Sequence, residues 1–239
     1  MIDAVLFDLG NTLVAYYKAH EFHPILERCV ESVAAEMRRH GRSVDVQSAN
    51  AHARALNRES PDGRVRPLEG RLLEIFGGAN RDLPSHLLDR LSEAFLAPVF
   101  ATARIDPAAV PVLQRLKALG LKTAIVSNTP WGSSAKAWRN ELDRLGLLDN
   151  LDEVAFCVDV GWRKPHRAVF DYALQRLGVR ASRALFVGDD AKWDIEGARR
   201  AGLIPVLLTQ DAEPQPDCYR IRSLEELESL IANLGHGDR

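Results

Sequence analysis

Cysteine is scarce in this 239-residue chain: Cys29, Cys157 and Cys218 are odd in number, widely spaced and set among apolar neighbours. Such a distribution argues against a disulfide framework and against a zinc site, and it suits a reducing cytoplasm. Long apolar runs are missing too, since no stretch approaches the roughly 18–20 residues of a membrane span. The N-terminal residues Met1 to Phe7 lack a basic region and meet Asp8 before reaching signal-peptide length, so no cleaved leader is expected. Blocks of like charge are absent. With 31 basic and 33 acidic residues the net charge is −2, which excludes an electrostatic arm for nucleic acid or a membrane surface and points to small-molecule partners. There is no internal repeat and no low-complexity tract. A composition of 46% hydrophobic and 27% charged residues is that of an ordinary globular protein. The length suits one full domain of about 100–200 residues plus a smaller appendage.

What is present is alternation. Five short apolar runs, 4–7, 123–126, 154–158, 184–187 and 205–208, read as buried strands. Residues 110–119, 135–145, 168–177 and 195–201 repeat apolar positions at helical spacing, with Gly120, Gly146, Gly178 and Gly202 beyond their ends as C-terminal caps. This order predicts an α/β core, a Rossmann-like doubly wound parallel sheet. Residues 16–100 break the alternation. Ile25, Leu26, Cys29, Val30, Val33, Ala34 and Met37 are spaced for a helix, further helical stretches lie near 68–76 and 87–95, and no strand-like run intervenes. A helical domain over 16–100 is therefore expected as an insertion into a core built from 1–15 and 101–239. Ser60-Pro61-Asp62-Gly63 reads as a turn within it. A last helix is expected over 224–234, from a Ser223 cap with Glu226 at the capping-box position, followed by a frayed tail at 235–239.

Ligands of open parallel sheets sit beyond the C-terminal strand ends. The first run ends in Asp8-Leu9-Gly10-Asn11-Thr12-Leu13, the second in Ser127-Asn128-Thr129, and the fourth in Gly188-Asp189-Asp190 with Asp194 one helical turn on; Gly161-Trp162-Arg163-Lys164-Pro165 follows the third. Each motif alone is weak, because an isolated Asp after a strand is as often a helix cap or turn former as a nucleophile. Together, and in this order, the four motifs resemble those of the haloacid dehalogenase-like superfamily, in the subfamily that carries a helical cap between the first two motifs. The resemblance spans essentially the whole chain.

It implies a magnesium-dependent phosphatase acting on a small phosphorylated metabolite, as a monomer or homodimer. Asp8 would be the nucleophile, and an aspartyl-phosphate intermediate would split one slow displacement into two easier ones. Ser127 and Lys164 would serve as catalytic partners, the lysine as a compact point charge on a phosphate oxygen. Asn11, Thr12, Asn128 and Lys164 would bind substrate. Asp8, Asp189 and Asp194, with the Gly10 carbonyl, would hold the metal, since carboxylates crowded at one sheet edge are costly unless a divalent cation neutralises them. Asp190 reads as a helix N-cap, and Trp193 stands where many members carry Asn.

One departure outweighs the matches. Most phosphatases of the superfamily place a second Asp two residues after the nucleophile, as acid and then base; here that position is Gly10, which cannot move a proton. Acid–base catalysis is typically worth ~10²–10⁴ in rate. Either water or a cap residue substitutes, or good leaving groups are favoured, or turnover has been lost and the protein binds a phosphorylated ligand or a partner. Dehalogenation, which also uses an ester on the Asp, is a further alternative, but it leaves Asp189 and Asp194 without a use; a mutase is disfavoured by the missing acid, while a slow phosphotransferase stays open. Arg64, Arg66 and Arg71 could hold a second anion, though a solvated loop is the simpler reading. Trp131 and Trp162 could wall the phosphate site, or simply pack. His20 and His23 lack a third ligand and read as surface residues.

Overall fold

Every side chain of β1 (Ala4–Phe7) is buried, as expected for a strand covered by helices on both faces. The computed structural model describes residues 1–56, 62–76, 83–211 and 217–236. In it β1 leads to β2 (Val14–Ala15), which pairs antiparallel with β3 (Arg104–Ile105). Among the described residues between β2 and β3 are the helices α1 (Phe22–Arg39), α2 (Val46–Leu56), α3 (Leu68–Phe76) and α4 (Ser85–Phe100), with α1 packed chiefly on α4.

The other strands are β4 (Lys122–Ser127), β5 (Glu153–Phe156), β6 (Ala184–Gly188), β7 (Ile204–Leu208) and β8 (Tyr219–Ile221). They join β1 in one parallel sheet of order β5-β4-β1-β6-β7-β8. Helices α5 (Ala109–Ala118), α6 (Ala135–Arg144), α7 (Cys157–Val160), α8 (Arg167–Leu177), α9 (Gly197–Ala201) and α10 (Leu227–His236) complete the chain.

Successive strand residues point to opposite faces, and the core divides accordingly. Val5, Phe7, Ile125, Phe156 and Val187 join a cluster that includes α5, α6 and the inserted helices, whereas Ala4, Leu6, Ala124, Val126 and Phe186 pack against α8 and α9. Each larger side chain of this kind contributes roughly 1.5–3 kcal/mol on full burial. The doubly wound α/β architecture is thus as the alternation of apolar runs implies. Among the described residues no helix is long and apolar enough to cross a membrane.

Four details differ from the sequence reading. A sixth strand, β8, flanks β7 at the sheet edge; its three residues alternate too briefly to register as a run. The third run stops at Phe156, where the Asp159 carboxylate accepts the Phe156 N–H (2.9 Å) and Cys157–Val160 coil into α7. Helix α2 was not expected, because it buries only Ala49 and Ala53 and so lacks a large apolar stripe; Asp45 accepts from the N–H groups of Gln47 and Ser48 at its start. Ser223 caps no N–H: a short 3₁₀ turn, Leu224–Glu226, precedes α10, and Glu226 accepts from Arg222 N–H. Ser60 and Pro61 of the expected turn, and residues 237–239 of the tail, lie outside the described residues.

The inserted segment meets the core through backbone. Val65 N–H donates to the Gly161 carbonyl (3.0 Å) and Arg163 N–H to the Gly63 carbonyl (2.9 Å). After β4 the chain turns through two left-handed residues, Trp131 (φ 58°) and Gly132 (φ 69°). A Cβ on Gly132 would overlap the Arg66 carbonyl, so glycine is required there twice, for its φ and for the close approach. Gly132→Ala is expected to destabilise the protein by at least about 1–3 kcal/mol, read as a lower midpoint of chemical denaturation. An unchanged midpoint would contradict this packing.

Candidate active site

The sheet order reverses around β1, whose neighbours are β4 on one side and β6 on the other. Side chains leaving these three C-terminal ends therefore converge. Asp8 follows β1, Ser127 ends β4, Asp189 follows β6, and Lys164 comes from the loop between α7 and α8. Ser127 Oγ donates to Asp8 Oδ1 (2.9 Å), and Lys164 Nζ donates to Asp8 Oδ1 (2.5 Å) and to Asp194 Oδ1 (2.6 Å). Lys164 is 2% exposed and Asp194 1%, so these bonds lie in a low-dielectric setting where they are strong.

Local structure fixes each group. Asn128 clamps the lysine backbone, its Oδ1 accepting from Lys164 N–H (2.8 Å) and its Nδ2 donating to the Lys164 carbonyl (3.3 Å). Asp190 caps the segment that follows it, accepting from the N–H groups of Lys192 (2.8 Å) and Trp193 (2.7 Å). That segment, Ala191–Glu196, is a wide π-helical turn that carries Asp194 back toward β6. There Asp194 Oδ2 accepts from Asp190 N–H (3.1 Å), and a Cβ on Gly188 would overlap the Asp194 side chain. Asn11 adopts φ 58°, a left-handed conformation that its type tolerates, and its N–H closes the loop onto the Val14 carbonyl (2.8 Å).

One carboxylate oxygen from each of Asp8, Asp189 and Asp194 lies within 4.8 Å of the others, and among the described residues this is the group with metal-ligand geometry. Three carboxylates against one ammonium leave two negative charges. Burial, then the negative charge of Asp8, pushes the Asp189 pKa up to about 6. Asp194 is raised as well, by burial first and with Lys164 opposing. Burial alone would lower the Lys164 pKa, yet Asp194 and Asp8 outweigh it and hold the ammonium above the ordinary lysine value. A hard divalent cation fits this donor set, which is all oxygen and has the charge to be neutralised.

A cavity of about 360 Å³ opens on the cluster, and every residue expected at the site lines it except Thr12. Thr12 is buried, and its hydroxyl has no hydrogen-bond partner among the described residues. Tyr16, Tyr17, Val99, Pro130 and Trp138 also line the cavity, and the sequence reading did not place them there. Trp131 and Trp162 do not line the cavity; Trp131 packs on Phe95 (5.5 Å between ring centroids), and Trp162 stacks on His166 (4.0 Å) beneath the Arg64 guanidinium. Arg66 pairs with Asp62 (3.0 Å) and Arg71 donates to the Leu56 carbonyl (3.4 Å), so none of the three arginines of that loop reaches the cavity. His20 and His23 are exposed.

Residues 2–202 match the family model of haloacid dehalogenase-like hydrolases. The chain is 28% identical over 239 residues to a glyceraldehyde 3-phosphate phosphatase of Methanocaldococcus jannaschii, covering 98% of this chain and 99% of that one. It is 32% identical over 246 residues to a ribulose-1,5-bisphosphate 5-phosphatase of Halopiger xanaduensis, with 98% and 97% covered. Among solved structures, a 2-haloacid dehalogenase from Pseudomonas syringae pv. Tomato aligns with a TM-score of 0.71 at 26% identity, over 98% of this chain and all of that one.

The raised Asp189 pKa gives a signed expectation. The native site holds a proton more tightly than the unfolded chain, so its burden on stability is absent below the ordinary carboxylate pKa and complete above about pH 6. A cation needs the deprotonated ligand and relieves that burden. Magnesium should therefore raise the melting temperature more at about pH 7.5 than at about pH 5; equal shifts at both would contradict the assignment of the cluster.

Proposed function

Because this chain belongs to the haloacid dehalogenase-like hydrolase family, we propose that it is a magnesium-dependent phosphatase that hydrolyses small phosphate monoesters through an aspartyl phosphate on Asp8. The observation that carries the proposal is the buried group of Asp8, Lys164 and Asp194 with Asp189 beside it. Its excess negative charge is the setting in which a divalent cation, and then a phosphate dianion held by that cation and Lys164, can be accommodated. The relatives named as phosphatases of triose and pentulose phosphates support a small sugar phosphate as substrate, and the cavity has the size for one.

Asp8, Asp189 and Asp194 with the Gly10 carbonyl would hold magnesium, which would supply positive charge to the phosphate oxygens. Asp8 forms the bond to phosphorus as the bond to the leaving oxygen breaks, and water then releases phosphate from the aspartyl ester. Ser127 and Lys164 hold Asp8 Oδ1, which fixes the carboxylate for in-line attack. Lys164 also offsets charge on the transferred group. Asn128 orients Lys164 through its backbone, and Asn11, Asn128 and Thr12 complete the phosphate-binding loops. Residues 16–100 form the cap, and Tyr16 and Tyr17 at its start line the cavity.

Dehalogenation is a second reading, favoured by the likeness to the solved dehalogenase. It also proceeds through an ester on the aspartate. Chloride release from 2-chloropropanoate without added metal, and no phosphate release, would establish it instead.

The test is phosphate release from aryl, anomeric-sugar and alkyl phosphates. Release is expected to require magnesium and to fall by at least roughly 10³-fold in Asp8→Asn; an Asp8→Asn protein with wild-type release would overturn the mechanism. A Cβ on Gly10 meets nothing within 4 Å, so an aspartate can be introduced there without a clash at its first side-chain atom. The wild-type rate should fall with rising leaving-group pKa, and Gly10→Asp should flatten that dependence by raising the alkyl phosphate rate roughly 10-fold or more. A flat dependence in the wild type, in an assay limited by chemistry, would contradict the assigned cost of Gly10.

A further inference from the structure

The backbone just before Lys164 is held from two sides. Arg163 N–H donates to the Gly63 carbonyl (2.9 Å), and the Arg163 carbonyl accepts from His166 N–H (2.9 Å). The next N–H, that of Lys164, donates to Asn128 Oδ1 (2.8 Å). Val65 N–H donates to the Gly161 carbonyl (3.0 Å), so residues 63–65 and 161–163 form a short antiparallel pair centred on Arg64 and Trp162. Side chains outside the cavity reinforce that pair. The Arg64 guanidinium lies over the Trp162 ring (3.9 Å to its centroid), and Trp162 stacks on His166 (4.0 Å). The inserted segment therefore grips the loop that carries Lys164.

Arg163 lines the cavity together with Asp8, Ser127, Asn128 and Lys164. Its Nη1 donates to the Thr129 carbonyl (3.1 Å), which also accepts from Gly132 N–H (3.3 Å). Thr129 is buried, and its own N–H donates to Cys157 Sγ (3.2 Å) just beyond β5, so that carbonyl belongs to a fixed loop. The loop after β4 and the loop before α8 are thus stitched residue to residue, Asn128 to Lys164 and Thr129 to Arg163. The same two loops carry Ser127 and Lys164, both of which donate to Asp8 Oδ1. We propose that Arg163 is a positioning residue. Its guanidinium, drawn onto the Thr129 carbonyl, sets the Lys164 loop against the β4 loop, so that ammonium and hydroxyl stay aimed at one carboxylate oxygen; this rests on the phosphatase reading above. A charged donor makes a stronger bond than a neutral one, and a buried ion pair stabilises only when its geometry is good. Because Arg163 N–H also bonds Gly63, the inserted segment is seated on the same residue.

Arg163→Met removes the guanidinium and keeps much of the stem. In magnesium-dependent release from 4-nitrophenyl phosphate and from ribose 5-phosphate, kcat should fall roughly 10-fold or more on both, the scale of a misplaced catalytic group. KM should change by less than about 2-fold, as for an interaction that serves the transition state alone. Arg163→Lys, whose ammonium can donate to the same carbonyl, should return kcat to within about 3-fold of the wild type. Arg163→Met combined with Asn128→Ala should be no more than about 2-fold slower than the slower single variant, because both residues act on one pair of loops. The melting temperature of Arg163→Met should fall by less than about 4 °C, and magnesium should still raise it, since the carboxylates are untouched. A KM that rises at steady kcat would make the guanidinium a substrate contact and overturn the proposal. Losses that multiply in the double variant, a lysine no better than methionine, or a lost effect of magnesium on melting would overturn it too, as would an unchanged kcat. Any of these results beside an active wild type removes the Arg163 assignment alone. No release by the wild type from either substrate removes the phosphatase reading, and the Arg163 proposal with it.

Discussion

Lys164 lies buried between Asp8 and Asp194, and without its ammonium two largely buried carboxylates would face each other unneutralised. Breaking a buried pair from one side typically costs about 3–5 kcal/mol, so the lysine secures the site as well as serving it. The balance stays incomplete, because Asp189 adds a third carboxylate, whose pKa burial first and then the charge of Asp8 lift to about 6. A site with this residual charge is poised for a cation. The strain within the cluster and the chemistry proposed for it have the same electrostatic origin.

The rest of the fold supplies the means to hold these groups. Parallel strands on either side of β1 bring Asp8, Ser127 and Asp189 to one edge, and each strand is anchored by side chains buried on both faces. Asn128 ties Lys164 to the β4 loop, while Gly188 and the π-helical turn let Asp194 lie against the strand it follows. The segment between α2 and α3 meets the core through backbone contacts at Gly63, Val65 and Arg66.

Much of this was legible in the sequence, for definite reasons. The core strands are continuous apolar runs because the sheet is covered on both faces, and the polar residues after each run mark the edge where ligands bind. Asp8, Ser127 and Asp189 stand at the ends of apolar runs, and Lys164 and Asp194 were singled out by the resemblance of the four motifs to the superfamily. Helix α2 was hidden because its buried stripe is two alanines, and β8 because three residues carry too little periodicity. The Ser223 cap failed because a 3₁₀ turn intervenes. Tyr16, Tyr17 and Trp138 were invisible as cavity residues, since nothing in their local pattern tells a core aromatic from one that faces a ligand. Trp131 and Trp162, which their neighbours made conspicuous, turned out to pack elsewhere.

The central claim is a covalent phosphoryl group on Asp8. Acid quenching of a reaction with magnesium and an aryl phosphate, followed by mass analysis of the peptide bearing Asp8, tests it directly. The account predicts one added phosphoryl group on that peptide, lost at neutral pH and absent from Asp8→Asn. Phosphate release by the wild type with no label on Asp8 at any quench time, and equal release by Asp8→Asn, would contradict it.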